Sequence, residues 1–223
     1  MINLDFQFII EIFPKLLSSV HITLSLTLIS MFIGIFVGTM LGIIRVYKIK
    51  ALDKLASIYI SFFRGTPLIV QLFILYYGMP QIIPKFAEVS AYMAAFIGLS
   101  LNSGAYMAEI IRSSINAIDK GQMEAALSVG MTKWQAMRRI IFPQAFRIAV
   151  PGLGNTFVSL LKETSLAFVL GVSEVLAKGK MISAATYKFF ETYLAVAIIY
   201  WIITLTFTYI QSKIEKRLNT AYS

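Results

Sequence analysis

Residues 16–44 contain no charged side chain, and this feature constrains the fold more than any other. The stretch is longer than the roughly 20 apolar residues that an α-helix needs to cross the hydrocarbon core of a bilayer. Of the 223 residues, 58% are hydrophobic and 14% are charged, and the mean hydropathy is +0.76. One soluble core could not bury so much apolar surface. The sequence therefore predicts an integral membrane protein.

Further apolar stretches predict an all-α, polytopic membrane protein with five transmembrane helices in one domain, residues 1–223. In the first span, Gly34, Gly38 and Gly42 recur every four residues, so they share one helix face and permit close helix packing. Residues 64–67 (R-G-T-P) combine a charge, a flexible residue and a helix breaker, which predicts a broken or kinked second span. The predicted spans cover residues 16–44, 55–79, 91–111, 148–172 and 192–210.

The positive charge lies mainly at one side of the predicted membrane. The chain has 20 Lys and Arg against 11 Asp and Glu, a net charge of +9. Basic residues concentrate in residues 45–54, in residues 120–147 and after residue 210. Cytoplasmic loops carry an excess of Lys and Arg, so we expect the N-terminus outside and the C-terminus in the cytoplasm. This distribution accounts for the net charge without a nucleic-acid partner.

Polar residues recur at helical spacing inside two of the predicted spans. Asn102, Tyr106 and Glu109 share a face of the third span, whereas Ser159 and Glu163 share a face of the fourth. A carboxylate at this depth is costly in hydrocarbon, so it normally faces a cavity or a partner charge. The residues alone leave both interpretations of Glu163 open.

Residues 119–143 form the longest water-compatible interruption of the apolar pattern. They predict two short helices separated by Gly130, the second of which begins with a capping box of Thr132 and Gln135. We expect Pro143 to prevent an uninterrupted helical continuation. A soluble partner protein could bind such a rigid pair of helices. An amphipathic pair folded back on the membrane would show the same pattern.

The elbow resembles the E-A-A loop of the permease subunits of prokaryotic ABC importers. The resemblance rests on Glu124-Ala125-Ala126, Gly130 and Pro143, with Phe142 where the family pattern has leucine. The sequences at residues 64–67, 105–112 and 160–166 are similar to those of permeases that import polar amino acids. The resemblance implies the type I ABC importer fold, a location in the prokaryotic inner membrane and an expected basic, arginine-like substrate.

The same resemblance implies the partners of the chain. Family members pair with two ATP-binding ABC ATPase subunits, with a second permease copy or close homologue, and with a soluble amino-acid-binding protein. The elbow docks on the ATPase and couples its closure to the spans in the lipid bilayer. The expected ATPase-coupling residues are Glu124, Ala125, Ala126, Leu127 and Gly130.

The chain itself lacks the residues of an enzyme. Gly179-Lys180 is the closest approach to a phosphate-binding loop, but Glu174 and Met181 occupy positions that need glycine and Ser or Thr. The chain has one histidine and no cysteine, which makes a metal site improbable. We therefore expect a transporter subunit with no cofactor of its own, ATP being bound by the partner. A stand-alone ion channel or proton-coupled carrier is the alternative, but it leaves the elbow unexplained.

Given an amino-acid substrate, Glu163 is the expected partner of the substrate ammonium, because buried charges persist only when they are paired. Backbone donors near Gly104 are the expected partners of the substrate carboxylate. The alternative, in which Glu163 only balances Lys162, stays open. The predicted substrate-binding residues are Asn102, Ser103, Gly104, Ser159, Glu163, Thr164 and Ser165.

Overall fold

The computed structural model describes residues 4–220, without the side chains of residues 219 and 220. This part of the chain is helical throughout, with short turns between its elements. Two π-helical turns lie at Ile74–Gly78 and Met137–Ile141, and two 3-10 segments lie at Pro84–Glu88 and Thr164–Leu170. The α-helices are α1 Phe6–Leu17, α2 Val20–Tyr47, α3 Lys50–Gly65, α4 Leu68–Phe73, α5 Met79–Ile82, α6 Ala91–Asn116, α7 Lys120–Ser128, α8 Lys133–Ala136, α9 Phe142–Glu163, α10 Val175–Thr186 and α11 Phe189–Thr220.

Within residues 4–220, three single helices are long and apolar enough to cross a membrane: α2, α6 and α11. A fourth candidate consists of Lys50–Gly65 and Leu68–Ile82, which meet at an angle of 110°. This bend confirms the predicted break at residues 64–67. Helix α9 has 22 residues, but it is not among the helices that are both long and apolar enough to span. The count of five spans therefore stays a prediction.

Two helices of the structure, α1 and α10, correspond to no predicted span. The chain before the first span forms its own helix, α1, which is capped by Asp5 and separated from α2 near Ser19. The fourth predicted span, residues 148–172, comprises most of α9 and the 3-10 segment Thr164–Leu170, and the expected loop that follows contains α10. Local 3-10 geometry tightens the end of the span because Thr164 and Ser165 hydrogen-bond back to the preceding turn.

Helix α1 is tied to the start of α11 by a charge pair. The Lys188 ammonium donates a 2.6 Å hydrogen bond to Asp5 Oδ2, and the backbone N–H of Phe8 donates to Asp5 Oδ1. The hydrogen bond from Lys188 is the main reason that the pKa of Asp5 lies below its usual value. Ile12 and Leu16 of α1 are buried against α10 and α11, so α1 belongs to the packed bundle.

The tightest packing in the bundle is between α2 and α6. Gly34, Gly38 and Gly42 are buried on the face of α2 that contacts α6. A Cβ atom at Gly38 would lie 2.6 Å from Met107 Cβ and 3.0 Å from the backbone nitrogen of Ala108. The three glycines therefore allow the two backbones to approach closely, as their four-residue spacing predicted.

The elbow has the predicted start of its second helix. Thr132 Oγ1 accepts from the Gln135 N–H at 3.2 Å, and Gln135 Oε1 accepts from the Thr132 N–H at 2.8 Å, so the capping box is present. Gly130 has φ +81°, a left-handed conformation that favours glycine. The turn at Gly130 and the capping box at Thr132 therefore define the corner of the elbow.

The expectation that Pro143 interrupts the helix was wrong. The helical path runs from α8 through the π-helical turn Met137–Ile141 directly into α9. Pro143 is the second residue of α9 and is separated from the π-helical turn by one residue. The π-helical turn lets the chain accommodate the proline without ending the helix.

Candidate functional site

A cavity of about 360 Å³ lies between α6 and α9. Its wall combines amide, hydroxyl, phenol and carboxylate groups, and it includes one glycine and one isoleucine. This composition differs from that of the lipid-facing grooves, where nearly all lining side chains are apolar. The lining residues are Asn102, Ser103, Tyr106, Ile110, Gly152, Asn155, Thr156, Ser159 and Glu163.

Asn102 connects this cavity to the break in the second span. Its Nδ2 donates to the Phe63 carbonyl at 3.1 Å and to Gln71 Oε1 at 2.9 Å. Gln71 Nε2 in turn donates to the carbonyls of Phe63 and Thr66, both at 3.0 Å. A broken helix leaves backbone carbonyls without partners, and these two buried amides satisfy them. The Asn102 N–H donors are committed to the break, so its carbonyl oxygen is the atom left for a ligand.

Gln71 was missed by the sequence reasoning, although a signal existed. It is the one polar amide in the apolar run of residues 68–75, four residues after Pro67. Buried amides in a span are costly unless hydrogen-bonded. An isolated glutamine directly after a predicted helix break therefore indicates a residue that satisfies the backbone of that break.

Glu163 lies at the end of α9, where it also borders a second, more open cavity. That cavity is lined by Ser159, Lys162, Glu163, Ser165 and Leu166. Among the described residues, no ion pair within 4.0 Å includes Glu163 or Lys162. Glu163 is therefore a carboxylate at a polar cavity wall without a cation in direct contact.

The predicted substrate-binding residues fall into three groups. Asn102, Ser103, Ser159 and Glu163 line the cavity between α6 and α9, and Ser165 lines the adjoining one. The structure places Gly104 and Thr164 at neither cavity.

Gly104 and Thr164 lie instead in the packed interior. A Cβ atom at Gly104 would lie 3.0 Å from Val37 Cγ1, so this glycine contributes to the α2–α6 contact. Two residues after Asn102, the helix has turned by roughly 200°, which carries Gly104 to the opposite face. Thr164 is fully buried, and its hydroxyl donates to the Leu161 carbonyl at 2.6 Å.

Charged groups flank the cavity towards the C-terminal end of α6. Arg64, at the end of α3, lies over the ring of Tyr106 with its guanidinium carbon 5.5 Å from the ring centroid. Glu109 forms an ion pair with Arg112, with an N–O distance of 2.7 Å. Glu109 therefore already has a cation in direct contact.

The elbow presents a mixed surface beyond the ends of the spans. Ala126 is buried, whereas Glu124, Ala125, Leu127 and Gly130 are exposed. Two large apolar side chains accompany them on this surface: Val129 is 76% exposed and Trp134 is 62% exposed. Their exposure favours a docking role over burial within the chain.

The elbow is nevertheless fixed to the spans by an apolar cluster. Ile115 at the end of α6 packs with Met137 and Ile141 of the π-helical turn and with Ala145 of α9. Partly buried side chains from α2 and α7, including Val46 and Met123, surround this cluster. A force on the elbow surface would therefore reach α2, α6 and α9 together.

Residues 30–220 match the family described as binding-protein-dependent transport system inner membrane component. The chain belongs to this family. The permease is 51% identical over 222 residues to the probable amino-acid permease protein YxeN of Bacillus subtilis (strain 168), covering 100% of this chain and 99% of the relative. It is 50% identical to the probable amino-acid ABC transporter permease protein PatM of Vibrio harveyi, covering 98% of each.

A solved structure supports the same assignment. The crystal structure of an amino acid ABC transporter with histidines matches the permease with a TM-score of 0.89 at 40% identity, covering 97% of this chain and 100% of that one. The permease is thus the membrane subunit of an amino-acid ABC transporter of the polar amino acid type. Membership of this class implies partner ATPase subunits.

Proposed function

We propose that the permease imports a polar, basic, arginine-like amino acid through the cavity between α6 and α9. The observation that supports this proposal is the position of Glu163 at the wall of a polar cavity, with no cation within 4.0 Å among the described residues. A half-buried carboxylate without a cation in direct contact favours a cationic ligand group. Each amino acid brings an ammonium, and a basic one brings a second positive group.

The cavity offers the other groups that an amino acid needs. Tyr106 and Ser159 can donate hydroxyl hydrogen bonds to a substrate carboxylate, whereas Asn102 keeps a carbonyl oxygen for a substrate N–H. Acidic substrates would place a second negative charge near Glu163. The arrangement therefore favours neutral or basic substrates over acidic ones.

The names of the relatives refer to several different amino-acid substrates. ArtQ of Bacillus subtilis, at 37% identity, is named for arginine transport, whereas TcyL of the same organism, at 38% identity, is named for L-cystine transport. A Rickettsia felis relative at 39% identity is named for putative glutamine transport. These substrates all carry an ammonium and a carboxylate, the groups that the cavity is proposed to bind.

The proposed coupling runs through the elbow. Two ATPase subunits would bind the exposed side of α7 and α8 on each of two permease copies or close homologues. The apolar cluster around Ile115 and Ile141 would carry their closure into α6 and α9, which form the cavity walls. A soluble amino-acid-binding protein would deliver the substrate from outside.

We infer the orientation from the Lys and Arg distribution, with the N-terminus outside and the C-terminus in the cytoplasm. The chain has no native cysteine, so single introduced cysteines report sidedness cleanly. A cysteine at Lys85 should react with a membrane-impermeant thiol reagent added to intact cells, and a cysteine at Lys50 should not. The opposite labelling would reverse the orientation.

The direct test of the proposed function is Glu163→Gln in the complex reconstituted with its ATPase. We expect uptake of a basic amino acid to fall by tenfold or more, as for the loss of one charge-assisted hydrogen bond of about 1.5–3 kcal/mol. Glu88→Gln, at an exposed carboxylate outside the cavity, is the matched control and should leave uptake unchanged. Undiminished uptake by Glu163→Gln would refute the role of Glu163, and uptake without any ATPase would favour a channel or carrier.

A further inference from the structure

A third cavity, of about 340 Å³, lies at the periphery of the bundle between α2, α9 and α11. Its lining is apolar except for Gln211, whose amide donates to the Pro151 carbonyl and to Glu215. The rings of Phe157 and Phe207, 4.6 Å apart, lie at one end of this groove. The groove is thus a preformed hydrophobic channel with no role in the proposed transport path.

The groove and the polar cavity use different faces of α9. Val150, Leu153 and Phe157 line the groove, whereas Thr156 and Ser159 line the polar cavity. At about 100° per residue, these two sets point in different directions from the helix axis. A ligand of the groove would therefore not compete directly with the amino acid.

The length of the groove corresponds to one leaflet of a bilayer. Its α9 residues run from Phe146 to Phe157, which corresponds to about 16 Å of helix at 1.5 Å per residue. This is about half of the roughly 30 Å hydrocarbon thickness of a bilayer. The groove therefore has the length of a phospholipid acyl chain in a single leaflet.

Basic side chains lie at the end of the groove where it would reach the membrane surface. Ile214 lines the groove. Lys213 is the residue before Ile214, and Arg217 lies one helical turn after Lys213 in α11. Lys213 lies over the ring of Tyr209, with its ammonium 4.5 Å from the ring centroid, and both Lys213 and Arg217 are exposed. Basic groups beside a groove between spans are suited to an anionic lipid headgroup.

We propose that this groove binds an anionic phospholipid, with an acyl chain between α9 and α11 and the phosphate beside Lys213 and Arg217. A second permease copy is a poorer occupant. Two copies related by a two-fold axis along the membrane normal would bring their basic α11 ends to the same side and close together, and like charges repel. An anionic lipid instead neutralises this end of the helix.

The first test measures lipid retention by native mass spectrometry of the intact complex with its ATPase, released from nanodiscs of phosphatidylglycerol and phosphatidylcholine. The wild type should retain phosphatidylglycerol preferentially. Lys213→Gln combined with Arg217→Gln should reduce that preference by roughly thirtyfold, from about 1 kcal/mol for each basic residue near the surface. Lys50→Gln combined with Lys54→Gln, at exposed basic residues of α3, is the matched control.

A variant that fills the groove distinguishes the contribution of acyl-chain binding to lipid retention from that of headgroup attraction. Val150→Trp should lower retention of both lipids, whereas Phe32→Trp, at an 80% exposed position of α2 outside the groove, should not. Equal retention of the two lipids by the wild type, or unchanged retention in Val150→Trp, would overturn the proposal. A photo-crosslinking amino acid at Val150 should yield a phospholipid adduct, and a permease–permease adduct would assign the groove to a second copy instead.

Discussion

Helix α6 has two faces with opposite properties. Towards α2, glycines bring the backbones so close that a single added methyl at Gly38 would overlap Met107. Towards α9, the same helix borders a polar cavity of about 360 Å³. The difference shows that the helix is fixed on one side, so the other side can remain open enough for a ligand. Close packing of apolar and small residues supplies the stability that a polar cavity lacks.

The largest expected effect comes from filling the close-packed face. Gly38→Ala adds the methyl group that would lie 2.6 Å from Met107 Cβ and 3.0 Å from the Gly104 carbonyl oxygen, and backbone atoms cannot yield easily. We expect a loss of about 1–3 kcal/mol in the free energy of unfolding, typical of overpacked cores. The measurement is the thermal unfolding midpoint of the purified complex.

Gly65→Ala provides the matched control, because its Cβ atom would have nothing within 4 Å. Alanine in a helix is favoured over glycine by about 0.5–1 kcal/mol, so this variant should be as stable as the wild type or more stable. Similar losses in Gly38→Ala and Gly65→Ala would show that the close packing of α2 on α6 is not what fixes α6.

Substitution of Gly130 should affect stability less and should mainly affect the coupling of transport to ATP hydrolysis. Its φ of +81° is strained for a β-branched residue, yet the space around it is open. Gly130→Val should leave the permease inserted and folded but reduce substrate-stimulated ATP hydrolysis severalfold, because the elbow surface is distorted. Gly130→Asn, which tolerates this conformation better, should retain most of the stimulation. Full stimulation in Gly130→Val would mean that this turn does not shape the docking surface.

The sequence predicted those parts of the fold that depend on local chemistry. The uncharged residues 16–44 indicated a span, the glycines of α2 a close helix contact, and residues 64–67 a break, because each follows from a few neighbouring side chains. The capping box at Thr132 and Gln135 was confirmed for the same reason. Such features need no knowledge of the partner helices.

Other features depended on tertiary packing and could not be predicted in this way. The π-helical turn before Pro143 and helix α10 arise where neighbouring helices stabilise them. Backbone donors near Gly104 were expected to bind the substrate carboxylate, but the rotation of α6 turns Gly104 towards α2. Periodicity indicates which residues share a face, and only the packing of α6 decides which neighbour that face contacts.

Substrate protection of a single cysteine tests most directly whether the cavity between α6 and α9 holds the amino acid. Ser159→Cys places a thiol in the cavity of a chain with no other cysteine, and Ala185→Cys places one at an exposed position of α10 outside it. In the complex with its ATPase, a saturating basic amino acid should slow modification of the Ser159→Cys thiol by a small, soluble thiol reagent. It should leave the Ala185→Cys thiol unaffected. Equal modification of the Ser159→Cys thiol with and without the amino acid would contradict the account.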